Sequence, residues 1–321
     1  MNKQDKIFVA GHRGLVGSAI VRRLQTAGFT NLVTRSRAEL DLLDQQAVRQ
    51  FFSQERPDHV MLAAARVGGI LANSIYSAEF IRENLLIQTH VIHEAYRHGV
   101  EHLLFLGSSC IYPRDCPQPI REEYFMTGPL EKTNSAYAAA KIAGVEMCHA
   151  YNRQYGTRYI CTMPTNLYGR EDNFDAQTSH VLAAMIRKFH EAKISGQPVV
   201  LWGTGTPRRE FLHVDDMADA CVHIMTVPEN HLSWLFSEDF PPLINIGCGQ
   251  DLSIRELAAS VAEVVGYRGR VEWDPSKPDG TPRKLLDISR LRRLTWEPRI
   301  SLPAGIRHVY DWFQETEVVK Q

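Results

Sequence analysis

Short β-rich apolar runs alternate with longer helical segments through the first half of the chain, and this rhythm limits the possible folds most sharply. KIFVA (Lys6 to Ala10), NLVT (Asn31 to Thr34), HVMLAA (His59 to Ala64), HLLFL (His102 to Leu106) and YICTM (Tyr159 to Met163) read as strands. The stretches between them are long enough for crossover helices. Right-handed crossovers place those helices on both faces of a parallel, doubly wound sheet. Two helical segments stand out: Ser77 to Arg97, with Phe80, Ile81, Leu85, Val91 and Ile92 on a broad apolar face, and the alanine-rich Ser135 to Tyr155. Their inner faces suit core packing against the sheet. Their outer faces suit pairing with the same helices of a second copy, so a homodimer through 77–97 and 135–155 is expected.

After Gly169 the rhythm breaks. A helical pattern carrying Val181, Leu182, Met185, Ile186 and Phe189 precedes a strand, VVLW (Val199 to Trp202), and the polar GTGTPRRE; HVDDMADACVHIM and the strand INIG then resume the earlier pattern. LSIRELAASVAEVVG opens with a capping box, Ser253 and Glu256, and closes at Gly266. Residues 1–169, with 213–250 returning to them, are therefore expected to form a dinucleotide-type domain. Residues 170–212 and 251–321 are expected to form a smaller α/β domain of discontinuous segments, and the cleft between the two to hold a substrate.

The first strand runs into GHRGLVG, which spaces Gly11, Gly14 and Gly17 as GxxGxxG before a helical pattern. Glycine lets backbone approach a pyrophosphate at a helix N-terminus, where free N–H groups and the dipole favour an anion. A structural tight turn needs the same residues, but the position between strand and helix favours a Rossmann-type dinucleotide site. An acid after the second strand would hold the 2′-hydroxyl of NAD, whereas arginine accommodates the 2′-phosphate of NADP. That strand ends TRSRAEL, with Arg35 and Arg37 and no acid before Glu39, and Arg13 lies within the glycine turn. NADP(H) is the expected cofactor.

The 321 residues carry a formal net charge of -1, so no electrostatic footprint for nucleic acid or an anionic membrane is visible. No apolar run reaches membrane-spanning length and the start lacks the apolar stretch of a signal peptide, which predicts a soluble cytoplasmic protein. Cys110, Cys116, Cys148, Cys161, Cys221 and Cys248 show neither CxxC pairing nor zinc-like clustering; reduced thiols and no metal are expected.

Tyr137 and Lys141, in YAAAK, lie four apart and share one helix face. A phenol titrates near 10 and is a poor proton relay at neutrality unless a nearby cation lowers it, a task that suits Lys141. GSSCIYP (Gly107 to Pro113) places serines and a cysteine at the tip of the fourth strand, where ligands of open α/β sheets bind.

With GHRGLVG, LAAARVGG, GSSCIYP, YAAAK, PTNLYG and REFLHVDDMADA in this order, the chain resembles the extended short-chain dehydrogenase/reductase family along essentially its whole length. The resemblance implies that Tyr137 donates a proton to a ketone receiving hydride, that Lys141 tunes it and that Ser108 hydrogen-bonds the reacting oxygen. It also implies cofactor contacts from Gly11, His12, Arg13, Gly14, Leu15, Val16 and Gly17, from Arg35, Arg37, Asp41 and Leu42, and from Ala64. Further contacts would come from Leu106, Gly107, Ser109, Lys141, Pro164, Thr165, Asn166, Leu167 and His180.

Sugar-nucleotide dehydratases of this family carry an Asp-Glu pair at the strand tip. Here Ser109 and Cys110 stand there, which disfavours dehydration. Protons on carbons flanking a ketone are acidic, and inverting such a carbon takes one acid/base group on each face. Cysteine and histidine bracket neutral pH and suit that work; the sequence offers Cys110 and His180 without saying which is the base.

SSCIYP, PTNLYG, DNF, SHV, WGTGTPRREFLHVDD and KPDGTPRKLLD are similar to the GDP-L-fucose synthase branch. That resemblance implies a bifunctional enzyme: GDP-4-keto-6-deoxy-D-mannose epimerised at C3 and C5, then reduced at C4 by NADPH. It further implies that Lys188, Trp202, Arg209, Asp279 and Lys284 contact the GDP-sugar. The branch usually has Pro-His-Asp after YG, whereas Arg170, Glu171 and Asp172 follow Gly169 here. The alternatives are a GDP-L-colitose-type enzyme inverting C5 alone, a plain 4-reductase in which Cys110 and His180 are spectators, and a silent NADP-binding regulator. The last should lack Tyr137 or Lys141, and both are present.

Overall fold

In a computed structural model of the chain, which describes residues 1–175, 179–277 and 279–320, the parallel sheet has six strands. They are β1 (Ile7–Ala10), β2 (Leu32–Val33), β3 (His59–Leu62), β4 (His102–Leu106), β5 (Arg158–Pro164) and Leu243–Ile246. Their order is Leu243–Ile246, β5, β4, β3, β1, β2, and every pairing is parallel. Helices α1 (Leu15–Thr26), α2 (Gln45–Glu55), Ser77–Arg97, Ser135–Tyr155 and Val214–Thr226 follow strands or cover the sheet. β1 and β3 are buried throughout, which is why they read as unbroken apolar runs. The chain leaves β1 toward β2 on one side and β3 pairs on the other, so a crevice opens at the carboxyl ends of β1 and β3.

β2 and β3 stop short of the runs the sequence suggests. β2 is an edge strand; past Val33 the Thr34 carbonyl leaves the ladder and accepts a hydrogen bond from the Arg35 guanidinium at 2.8 Å. β3 ends at Leu62 because the backbone of Ala63 and Ala64 turns to pack against Gly11.

A second core lies beside the first. Tyr168, Phe189, Leu257, Tyr310 and Phe313 are buried between the helices Val181–Ser195, Ile254–Val265 and Leu302–Lys320. Val199–Trp202 pairs in parallel with Val271–Asp274 at its side. The Ile254–Val265 helix starts with the reciprocal Ser253/Glu256 capping box and stops at Gly266, whose φ is +77°.

The expected assignment of all of 251–321 to the smaller unit needs correction. Leu286, Ile288, Leu291, Leu294 and Trp296 are buried in the first core, and the Trp296 indole donates to Asp219 at 2.8 Å. Their apolar side chains cover the Leu243–Ile246 edge of the sheet, where the alternative would be exposure to water. No helix among the described residues is long and apolar enough to cross a membrane. All six cysteines are unpaired.

Glu210 staples the seam between the cores. Its carboxylate is fully buried and accepts from the backbone N–H of Gly249 at 2.6 Å and of Leu286 at 3.0 Å. Its carbonyl oxygen accepts from Thr165 Oγ1 and Asn166 Nδ2. A buried carboxylate is tolerable only when bonded in this way.

Candidate active site

A cavity of about 760 Å³ opens over the carboxyl ends of β1, β3, β4 and β5. Its floor at one end is the glycine turn. Gly14 occupies the N-cap of α1 without a side-chain cap, and no acid stands in the first turn. Gly11 has φ +87°, and a Cβ there would lie 2.7 Å from the Ala64 nitrogen; a Cβ on Gly17 would lie 2.1 Å from the Gly11 carbonyl oxygen. The turn thus closes flush, with uncapped N–H groups at the helix start facing an anion site, and the residues present fit a dinucleotide pyrophosphate.

Leu15, Val16, Arg35, Arg37, Asp41, Leu42 and Ala64 line the same cavity, as do Leu106, Gly107, Ser109 and the run Pro164, Thr165, Asn166 and Leu167. His12 and Arg13 are not part of that lining. The His12 ring is half-buried with Nδ1 lacking a partner; burial, then the Arg13 charge, pulls its pKa down. Arg35 gives part of its guanidinium to Glu55 at 2.5 Å, whereas Arg37 is exposed.

The Ser135–Tyr155 helix delivers Tyr137 and Lys141 to the cavity. It can approach β4 closely because Gly144 faces Phe105, where a Cβ would come within 2.5 Å of the ring. Gln88 Nε2 ties the helix to its Ser77–Arg97 neighbour by donating to the Ala140 carbonyl at 2.6 Å. Lys141 is buried at 3 % exposure, and its ammonium donates to the Leu106 carbonyl at 2.7 Å. Burial drives the Lys141 pKa from its ordinary value down to about 8.

The expectation that Lys141 depresses the Tyr137 phenol meets the opposite result. Burial, reinforced by Cys110, pushes Tyr137 well up, and only hydrogen bonding with Ser108 acts the other way. The ammonium is committed to Leu106 and stands 5.8 Å from the Tyr137 ring centre.

A stability effect follows for Lys141. Its folded pKa lies below its unfolded one, so below pH 8 the native protein bears the full cost of a buried charge. Between pH 8 and the ordinary lysine range the unfolded chain binds more protons, and stability rises with pH. The Lys141→Met apoprotein is therefore expected to melt higher than wild type at pH 7, with the gap closing as pH rises past 8, in calorimetry at stepped pH. A pH-independent gap would contradict this origin.

At the tip of β4 the Ser108 hydroxyl caps the short helical turn Ser109–Ile111 and accepts from the Cys110 N–H at 3.3 Å. Ser108 and Cys110 both line the cavity. Burial raises the Cys110 thiol, opposed by the Lys284 charge, Ser108 and Lys141 in that order.

His180 lines the cavity from the N-cap position of the Val181–Ser195 helix. Nearby Asp172 belongs to the segment that departs from the family pattern. Its carboxyl is pushed up to about 6 by burial, and the charge of His180 draws it back. Glu171 holds φ +64°, a left-handed turn in a non-glycine residue.

Of the residues expected to touch the sugar nucleotide, only Lys284 lines this cavity. The other four belong to the smaller unit beside it. Trp202 is 62 % exposed, with the Lys277 ammonium 5.7 Å from its ring centre. Asp279 accepts from Thr204 N at 2.7 Å and Thr204 Oγ1 at 2.9 Å, and packs so tightly on Gly203 that a Cβ there would collide with it. Arg209 is half-buried near Gly280, and the Lys188 ammonium donates to the Val200 carbonyl at 3.1 Å. Asp279 and Arg209 thus meet the chain at Gly203 and Gly280, with Trp202 the residue before Gly203. Glu210 had no role in the sequence reading, which placed Phe80 only among core-packing residues, whereas its ring meets Tyr137 edge-on at 6.3 Å.

A doubly wound sheet with a glycine-turn crevice and Ser, Tyr and Lys gathered at its rim defines an extended short-chain dehydrogenase/reductase. The chain belongs to the NAD dependent epimerase/dehydratase family, whose profile matches residues 7–247. It is 59% identical to GDP-L-fucose synthase 1 of Arabidopsis thaliana over 97% of this chain and 94% of that one. It is 55% identical to the GDP-L-fucose synthase of Escherichia coli (strain K12), over 99% and 98% of the two. A GDP-L-colitose synthase of Yersinia pseudotuberculosis is 35% identical over 96% and 97%. Among solved structures, a GDP-mannoheptose C4 reductase from Campylobacter jejuni with NADP bound superposes with a TM-score of 0.88 at 40% identity, over 98% of this chain and 99% of that one.

Proposed function

We propose that the chain is an NADPH-dependent epimerase-reductase that converts GDP-4-keto-6-deoxy-D-mannose to GDP-L-fucose. The observation that carries this reading is the meeting of Cys110 with Ser108, Tyr137, Lys141 and His180 around one cavity. Cys110 and His180 suit proton transfer beside a ketone, and Ser108, Tyr137 and Lys141 suit carbonyl reduction. The high identity to GDP-L-fucose synthases favours this substrate over the 3-deoxy ketosugar of a colitose-type enzyme.

The glycine turn, Arg35, Arg37 and the strand-tip residues that line the cavity would hold NADPH. His12 and Arg13 would close over it from the rim. When bound, that cofactor supplies a hydride to the C4 carbonyl. Ser108 orients the ketone oxygen by hydrogen bonding, which also favours the enolate formed when a flanking proton leaves. Cys110 and His180 remove and return protons at C3 and C5. Tyr137 gives its phenolic proton to the C4 oxygen; burial keeps that proton in place until the oxygen becomes basic. Lys141 fixes the strand tip through Leu106, and its remaining donors would hold the cofactor ribose.

Lys188 and Arg209 suit a diphosphate, Trp202 a base or the wall of its pocket, Asp279 a base or sugar edge, and Lys284 the sugar side. We place the reaction in the cytoplasm, in keeping with six unpaired cysteines. The protein with GDP-4-keto-6-deoxy-D-mannose and NADPH in deuterated water is expected to yield fucose labelled at C3 and C5 by NMR. Label at C5 alone would replace this reading with the colitose-type one, and reduction without label would reduce it to a 4-reductase.

We also propose a homodimer through the outer faces of Ser77–Arg97 and Ser135–Tyr155. Ile81 and Leu85 remain half-exposed on the first of these helices, and Tyr155 is 44 % exposed at the end of the second. Light scattering at micromolar concentration is expected to return twice the chain mass; a monomer would remove the proposal.

A further inference from the structure

Two lysines, Lys141 and Lys284, line the cavity that Cys110 lines, and they differ in what else they do. Lys141 is tied to the Leu106 carbonyl. Lys284 lies on the short strand Arg283–Lys284, which Arg208–Arg209 holds in parallel register, and its side chain lines the same cavity as Cys110. Its ammonium has neither hydrogen bond nor ion pair among the described residues. With no carboxylate among the described residues within ion-pair reach of it, an ammonium in such a cleft needs a counter-charge, and the thiolate of Cys110 in the same cavity can supply one.

From this geometry we infer that Lys284 is a positioning residue for Cys110: its charge stabilises the thiolate that removes the proton beside the ketone. The inference rests on the epimerase-reductase reading and assigns Lys284 a task other than gripping the nucleotide sugar. In the step, the thiolate sulfur takes the proton, the C–H electron pair forms the enolate C=C bond, and the carbonyl π pair moves onto the ketone oxygen. One negative charge thereby moves from sulfur to oxygen, and an ammonium in the same cavity stabilises it at both ends.

The groups facing the pair are few. Tyr137, Ser108 and Lys141 adjoin Cys110, while Arg209, Cys116 and Glu131 act on Lys284. Burial raises the thiol and lowers the ammonium, and for each the other is the largest opposing influence.

The test is alkylation of Cys110 by iodoacetamide in the full chain without substrate, followed from pH 7 to pH 10 by peptide mass spectrometry. That readout separates Cys110 from the half-buried Cys116 and Cys248 and does not depend on the substrate assigned. Lys284→Met is expected to move the alkylation midpoint upward and slow the reaction at pH 8 by about tenfold or more. Lys284→Arg, which keeps the charge, is expected to restore most of the rate. In turnover, Lys284→Met should slow deuterium entry beside the ketone, with its pH profile displaced the same way. An unchanged alkylation profile in Lys284→Met, with only a raised KM for the GDP-sugar, would overturn the inference and leave Lys284 a substrate contact. Wild-type reduction without deuterium entry would defeat the epimerase reading instead, whatever the alkylation result.

Discussion

Tyr137→Phe is expected to cut reduction at C4 by about 10²–10⁴-fold while deuterium still enters the carbons flanking the ketone. The two half-reactions draw on different groups. Hydride arriving at C4 leaves a basic oxygen, and in the proposed mechanism the Tyr137 phenol, which lines the cavity with Ser108, is its donor. Burial raises that phenol, so the proton stays on tyrosine in the resting enzyme and departs only toward a developing alkoxide. Phenylalanine keeps the ring that meets Phe80 edge-on and removes the proton alone. In the proposed mechanism proton exchange beside the ketone draws on Cys110 with its Lys284 neighbour, on His180 and on the polarisation that Ser108 supplies, not on the phenol. NADPH consumption and deuterium incorporation, followed in one reaction mixture, read the two steps separately. Reduction at the wild-type rate would refute the assignment of Tyr137, and loss of both steps together would mean that the phenol serves the epimerisation too.

Cys110→Ala is expected to have the complementary effect. Epimerisation should slow by about 10²–10⁴-fold, the span typical of a positioned acid or base, with NADPH affinity within about twofold of wild type. The thiol points into the cavity from the turn Ser109–Ile111, whose cap is the Ser108 hydroxyl and the Cys110 backbone N–H. Alanine retains that N–H and therefore the cap, so the substitution removes the sulfur without dismantling the strand tip. Fluorescence titration with NADPH, paired with NMR detection of exchange at C3 and C5, tests both halves of the expectation. An equal loss of cofactor affinity would make the thiol a packing residue.

Much of the scaffold was legible without coordinates. The strands and the two long helices announce themselves because apolar runs and i, i+4 spacing are local properties of a backbone. The cap at Ser253 and Glu256 and the stop at Gly266 are likewise decided by groups within one turn of each other. Glu210 was not legible. Between Arg209 and Phe211 it has the look of a solvated charge, yet it is wholly buried because Gly249 and Leu286, distant in sequence, bring two N–H groups to it. The stretch 286–296 misled for a related reason: its apolar residues name no partner, and the uncovered edge of the sheet supplied one.

The candidate site divides along the same line. GxxGxxG between strand and helix, YAAAK on one helix face and SSC at a strand tip are short-range patterns, and the sequence by itself determined them and the chemistry they point to. Only the tertiary structure decided that Lys284 shares a cavity with Cys110, and that Tyr137 is pushed up where its lysine neighbour was expected to bring it down. Backbone conformation is set mainly by residues within a few positions of each other. Burial and field sum over every element that packs around a group, so the state of a titratable side chain is known only once the whole chain has closed over it.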